Sequence, residues 1–485
     1  MTKRPLLMRK KRRSHHNSSK LKRPSSGRAH TSSYNETSPE DDRRRKCEDK
    51  YDERAHTLKK ANKRPPLELP LYHVSQLQLS SQSFLDSLSL DEKRVNFLNS
   101  RLTNTNNLTS TSTAPNSIRV PLNPGQSIGV ANYYTKIGLG TPPTTHLVVV
   151  DTGSSFSWIQ CQPCAVYCHP QSGPTFNPTL SSTYQKLSCS TSQCKSLKKA
   201  TLNTPTCTSS RTCLYTATYG DQSFSIGFLS RDRLTFGPDS SLAGFVFGCG
   251  QDNDGLFGRS SGLIGLAKNE LSLLSQLSGK YGSGFAYCLP TATPLGRIGS
   301  GGFLTIGKSL GYNRNPAYKF TPLVSDERDP TLYFVKLSGV TVAGRLLGLP
   351  ASDFGVPTII DSGTTISRLA GPVYAALREE LVRVILKRFK SAGSFSILDA
   401  CFVGGSEEIG RVVPAVGLVF GGGATMDLAA RNVLIEVVKG TTCLSLAGNS
   451  GLRDLAIIGN QQQQGFDIGY DVVSSRIGFA AGGCS

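Results

Sequence analysis

One seven-residue pattern occurs twice, and it limits the chain more than any other feature. Val148-Val149-Val150-Asp151-Thr152-Gly153-Ser154 returns as Thr358-Ile359-Ile360-Asp361-Ser362-Gly363-Thr364. Each copy is an apolar run followed by Asp, a hydroxyl residue, Gly and a second hydroxyl residue. Each is answered later by two apolar residues and a glycine. These are Leu263-Ile264-Gly265, whose Gly lies 112 residues after Gly153, and Ile457-Ile458-Gly459, whose Gly lies 96 residues after Gly363. Two ordered elements in two halves imply duplicated lobes, each contributing one aspartate. An isolated Asp-x-Gly is usually only a turn between strands, but the paired, ordered pattern argues against that reading.

The rest of the text fits an all-β protein. Short β-rich runs alternate with Gly, Pro and Ser turns, and there are 49 Gly and 26 Pro among 485 residues. Strands are expected at Tyr133–Leu139, Leu147–Val150, Gly244–Phe247, Tyr333–Val342, Thr358–Ile360, Ala456–Ile458 and 476–480. Helices are few. The apolar spacing predicts one over 371–389, opened by Pro372 and closed by Lys387 and Arg388, and a shorter one over 271–277. Upstream, a helix is expected over 88–102.

Charge divides the chain. Residues 1–64 carry 21 Lys/Arg against 8 Asp/Glu, which is most of the formal +20. This tail has almost no Val, Ile or Phe and cannot bury enough surface to fold. It would bind phosphate backbones without sequence preference, so a nucleic-acid partner is conceivable only through residues 1–64, and a solvated, removable leader is favoured over that reading. Residues 65–118 read as a propeptide and linker, with the polar run 103–117 as an exposed processing region. Residues 119–325 and 326–485 are expected to be the two lobes. No stretch reaches transmembrane length, so no membrane partner is expected.

Of 13 cysteines, Cys47 stands in the basic tail and twelve lie between Cys161 and Cys484. The even dozen implies six disulfides and an oxidising compartment. Cys161-x2-Cys164-x3-Cys168-His169 has spacing that zinc could use. The many other cysteines favour disulfides, so neither metal nor other cofactor is expected. Met1–Leu7 is too short for a secretory h-region. The expected location is the apoplast or another secretory compartment, with the chloroplast as the alternative.

Two facing carboxylates and a water supply what amide hydrolysis needs. Like charges this close cannot both ionise, so one proton is shared. The ionised carboxylate takes a proton from water, and its protonated partner donates to the carbonyl oxygen. Thr152, Ser154, Ser362 and Thr364 offer hydroxyls to hold the carboxylates, while Gly153 and Gly363 allow tight turns.

With these motifs the chain resembles the pepsin-type aspartic proteases, specifically their nepenthesin-like plant branch. The resemblance covers roughly 120–485, more faintly 66–102. It implies a bilobal fold with a cleft between two β lobes and a catalytic pair Asp151 and Asp361. It makes Tyr219-Gly220-Asp221 a flap over the substrate, with Trp158 buttressing Tyr219. Cys161 to Cys213 resemble the branch's disulfide-rich insertion, and Phe247-Gly248-Cys249-Gly250 also fits. Gln222 stands where the branch usually has Gly, and Ala267 replaces another usual Gly. The expected product is a monomeric endopeptidase acting on peptides or proteins and made as an inactive precursor. The alternatives are a catalytically silent inhibitor on the same fold, or a DNA-associated protein acting through its tail.

Overall fold

Both Asp-bearing runs are strands, Thr144–Asp151 and Thr358–Ile360. Their apolar residues are buried on successive positions rather than alternately, as befits strands covered on both faces. The answering apolar pairs are their parallel neighbours. Gly262–Gly265 runs beside Thr144–Asp151, with Gly265 opposite Asp151. Ala456–Ile458 runs beside Thr358–Ile360, with Ile458 opposite Ile360. A Cβ on Gly265 would come 2.6 Å from the carbonyl carbon of Ser155, and one on Gly459 would come 2.7 Å from the Thr365 oxygen. Each glycine is therefore what lets its strand pass against the loop that carries the aspartate. The sequence repeat is a repeat in space.

The computed structural model describes residues 67–73, 84–103, 133–219, 223–237, 240–255, 257–291, 302–307 and 317–482. All of them belong to one unit, Arg64–Ser485. The fold is all-β and bilobal, with few helices. A shared sheet joins the lobes, in the order Lys319–Pro322, Arg476–Ala481, Phe466–Asp471, Phe285–Cys288, Gly302–Ile306, Leu67–His73, Tyr133–Leu139 and Thr144–Asp151, and it continues into the first lobe. Phe285, Tyr287, Tyr333 and Tyr470 cluster in the seam, with the Phe285 and Tyr470 rings stacked 4.2 Å apart and Tyr333 edge-on to Tyr470.

Leu67–His73 was not among the strands expected from sequence. Leu67, Leu69 and Leu71 are buried while Glu68 and Pro70 are exposed, which is the alternation of a half-buried strand. Residues 67–71 pair along Gly302–Ile306, and only residues 72 and 73 pair with Tyr133–Leu139. Pro70 therefore sits where one side carries no ladder, the position a proline tolerates.

The helices are close to expectation, with shifted ends. The first is Phe84–Thr103, longer than 88–102. Ser192–Thr201 is a helix that was not expected from sequence, and Leu273–Tyr281 follows it, begun by Ser272, whose hydroxyl accepts from the Ser275 N–H at 3.3 Å. Gly371–Ile385 buries Val373, Tyr374, Leu377, Leu381 and Ile385. It stops before 389 because the chain tightens: Lys387 N–H donates to Val384 O and Arg388 N–H to Ile385 O, three residues back.

Disulfides link Cys161 to Cys249, Cys164 to Cys168, Cys189 to Cys207, Cys194 to Cys213 and Cys401 to Cys443. Cys288 is disulfide-bonded as well. The Cys161/Cys164/Cys168 cluster is thus spent on disulfides rather than on zinc, and the His169 ring bonds Ser260 O.

Candidate active site

Asp151 and Asp361 end their strands at the floor of the interlobe cleft, both almost fully buried. Each is fixed in the same way. Gly153 N–H donates to Asp151 Oδ1 at 2.9 Å, and Gly363 N–H to Asp361 Oδ1 at 3.1 Å. Thr364 Oγ1 donates to Asp361 Oδ2 at 2.5 Å. The two loops brace each other across the pseudo-symmetry: Ser362 N–H donates to Thr152 Oγ1 at 2.9 Å, and Thr152 N–H to Ser362 Oγ at 3.3 Å. The turn glycines are crowded. A Cβ on Gly153 would lie 2.8 Å from Asp361 Oδ1, and one on Gly363 would lie 2.5 Å from Asp151 Oδ1. Asp151, Thr152, Gly153, Asp361, Ser362, Gly363 and Thr364 therefore converge on one point, while the Ser154 hydroxyl has no hydrogen-bond partner there among the described residues.

That point is occupied. Arg94, from the Phe84–Thr103 helix, reaches both carboxylates. Its Nη2 is 2.7 Å from Asp151 Oδ1 and 2.9 Å from Asp361 Oδ2, and its Nε donates to Asp361 Oδ2 at 3.0 Å. One nitrogen touches both side chains, so they face each other across the width of a single small group. Burial opposes the charge on Asp151, but Arg94, Ser154 and the Gly153 N–H outweigh it and hold the carboxyl below its ordinary value. The Ser154 hydroxyl contributes without a hydrogen bond of good geometry. Burial likewise opposes the Arg94 charge, and the two aspartates overcome it and push the guanidinium pKa up.

Arg94 was not among the residues singled out from sequence. In Asp91-Glu92-Lys93-Arg94 it reads as one more member of a solvated charge block. The available signal was position: Arg94 shares a helix face with Leu90, Leu98 and Arg101, at i−4, i+4 and i+7. That face lies along the cleft. Val95, Leu98 and Leu102 pack on Leu332, Phe334, Ile359 and Leu455, and Leu88 packs near Ile366 and Leu398. Arg101 pairs with Asp329 at 2.5 Å and donates to Gly153 O at 2.8 Å. Asp91 accepts the N–H groups of Thr365 and Ile366.

On the first-lobe side, Trp158 Nε1 donates to Tyr219 Oη at 2.8 Å, so the two aromatic residues paired from sequence do meet. Tyr219 N–H bonds Ser223 O at the end of the hairpin formed by Cys213–Thr218 and Phe224–Gly237. Gly220, Asp221 and Gln222 lie outside the described residues. A pocket remains between this hairpin and the helix, lined by Arg94, Asp151, Ser154, Phe156, Ala217 and Tyr219 among others.

The run Gln461–Gln464 lies largely in the short helix Asn460–Gln463, whose residues are all buried. Gln463 donates to Asp361 O and Ile458 O at 3.0 and 2.7 Å, and Gln462 donates to Asn432 O and Ser445 O. The glutamines lock the second aspartate's loop from behind.

Comparison with known proteins shows the family. Residues 133–308 match the family model described as "Xylanase inhibitor N-terminal", and residues 332–481 match "Xylanase inhibitor C-terminal". An aspartyl protease family protein of Arabidopsis thaliana is 38% identical over 84% of this chain and 83% of its own. Aspartic proteinase nepenthesin-1 of Nepenthes gracilis is 34% identical over 73% of this chain and 79% of its own. Among solved structures, the basic 7S globulin from soybean superposes with a TM-score of 0.57 at 21% identity, over 73% of this chain and 96% of that one, a likeness of fold alone.

Proposed function

The chain belongs to the pepsin-like aspartic proteases, in their nepenthesin-like plant branch, and from that premise we propose that it is an aspartic endopeptidase made as a self-inhibited precursor. Asp151 and Asp361 hold the attacking water once Arg94 has left. One carries the shared proton and polarises the peptide carbonyl, while the other takes a proton from the water. Tyr219, held by Trp158, closes over an extended peptide or protein substrate.

The observation that carries this reading is the single Arg94 nitrogen lying between both carboxylates. It occupies the place of the water, and the helix that bears it fills the cleft. Residues 65–118 then act as the propeptide, cut near 103–118. The disulfides support a secretory location, since such bonds persist in oxidising compartments.

The test is turnover of an unfolded protein substrate by the full chain after acid treatment. Activity is expected in the processed protein and lost in Asp151→Asn and Asp361→Asn, and a statine-type transition-state mimic should block it. Turnover indifferent to both substitutions rejects the proposal. The description of the matching family models favours one second reading, a silent inhibitor or binding protein. It predicts tight association with a partner enzyme and no turnover after the helix is removed.

A further inference from the structure

We propose that Arg368 and the backbone N–H groups of Thr365 and Ile366 form a carboxylate-binding subsite of the substrate cleft, filled in this precursor by Asp91 and in the mature protein by an Asp or Glu side chain of the bound peptide. The proposal rests on the protease reading and deepens it.

Asp91 is buried, and among the described residues the three groups that meet it are donors. The Thr365 and Ile366 N–H groups reach its two oxygens, the second at 3.1 Å, and Arg368 Nη2 stands 3.2 Å from Oδ2. Two adjacent backbone N–H groups and a guanidinium make a site for an acceptor-only group. An amide side chain would turn its NH2 toward one of these donors, and an apolar side chain would leave all three without a partner.

Arg368 lies on the strand Ser367–Leu369 with only 2% of its surface exposed. Its Nη1 donates to Ile366 O at 2.8 Å, which fixes the guanidinium in place. Among the described residues its only carboxylate partners are Asp91 and Glu92, at 3.2 and 2.9 Å, and both belong to the Phe84–Thr103 helix. Loss of that helix leaves a cation in the cleft wall with no carboxylate from either lobe. An uncompensated buried charge is strongly unfavourable, so the cleft favours an occupant that restores the pair.

The subsite belongs to the cleft because it is continuous with the catalytic loop. Thr365 follows Thr364, whose hydroxyl holds Asp361. Asp91 and Arg94 are three residues apart on one helix face, which corresponds to about 4.5 Å along the axis. An extended peptide covers that in one or two residues at roughly 3.3 Å each. The acidic side chain is therefore expected one or two positions from the bond that is cut.

The experiment uses the processed full chain and matched peptides that differ only by Glu or Gln at successive positions. Glu is expected to raise kcat/KM about ten- to hundredfold over Gln at a single position. Arg368→Met should erase that difference. The same peptides are titrated by calorimetry onto the processed protein inactivated with a statine-free active-site substitution, Asp361→Asn, near pH 6, where a free Glu with an ordinary value of roughly 4.3 is ionised. Equal kinetics and equal binding for Glu and Gln at every position overturn the subsite. So does a Glu preference unchanged in Arg368→Met. Glu-selective binding without turnover in the unsubstituted protein overturns the protease reading and leaves the subsite standing. The Glu-against-Gln comparison on unsubstituted protein holds even if Arg368→Met fails to fold.

Discussion

At the scale of single residues, one guanidinium bridges both carboxylates of the proposed dyad. Arg94 satisfies two buried carboxylates that would otherwise repel each other, and breaking such a buried pair from one side costs on the order of 3–5 kcal/mol. The sign of the pH effect follows. With Arg94 docked, the Asp151 carboxyl is held below its ordinary value. Its contribution to docking is therefore fully present above the ordinary carboxylate range and fades as pH falls toward the lowered value. Asp91 works in the opposite sense, because burial pushes its carboxyl up against the pull of Arg368 and two N–H groups. If the protein is the proposed precursor, acid release of the helix is expected to reside in the Arg94–dyad contact. Arg94→Gln should give a precursor active at higher pH, with release that depends much less on pH, as read by cleavage of a quenched peptide from near neutral to acid. An unchanged acid threshold in Arg94→Gln would show that the inhibition lies elsewhere.

The aspartates were legible from sequence because their chemistry is local: four consecutive residues, repeated, behind an apolar strand. Arg94 was not, because its role comes from a contact 57 residues away in sequence with Asp151 and 267 away with Asp361. The glutamines of 461–464 were opaque for the same reason. Nothing in four identical polar side chains tells that Gln463 reaches Asp361 O while Gln462 turns to Ser445.

Among the elements, those with a strong pattern were readable and those that depend on neighbours were not. Tyr133–Leu139, Thr358–Ile360 and Ala456–Ile458 fall where β-branched and aromatic runs put them. Leu67–His73 was missed although its leucines alternate, because Pro70 speaks against a strand unless one edge is known to be open. The paired glycine strands make a sharper claim. Gly265→Ala and Gly459→Ala each drive a methyl group into backbone atoms at 2.6 to 2.7 Å. Backbone cannot swing aside as a side chain does, so either change should destabilise the fold by about 2–4 kcal/mol, whereas Gly279→Ala, whose Cβ meets nothing within 4 Å, should not. Thermal unfolding of the three variants checks this, and equal midpoints would refute it.

For the whole molecule, the segment before residue 104 is attached in two unlike ways. The helix lies in the cleft through a few charged contacts and a narrow apolar stripe. The strand Leu67–His73 is woven into the sheet that unites the lobes, with five residues paired along Gly302–Ile306 and three leucines in the main core. A cut at the proposed site near 103–118 would free both covalently but is expected to loosen only the helix. We expect the activated protein to run as one species under native conditions and as two fragments under denaturing ones, the smaller containing Leu67–His73. Recovery of a single fragment beginning near 119 would contradict this. Activation would then differ from simple loss of a leader: the severed piece stays behind as a staple between halves, and the enzyme keeps part of its own inhibitor as scaffolding.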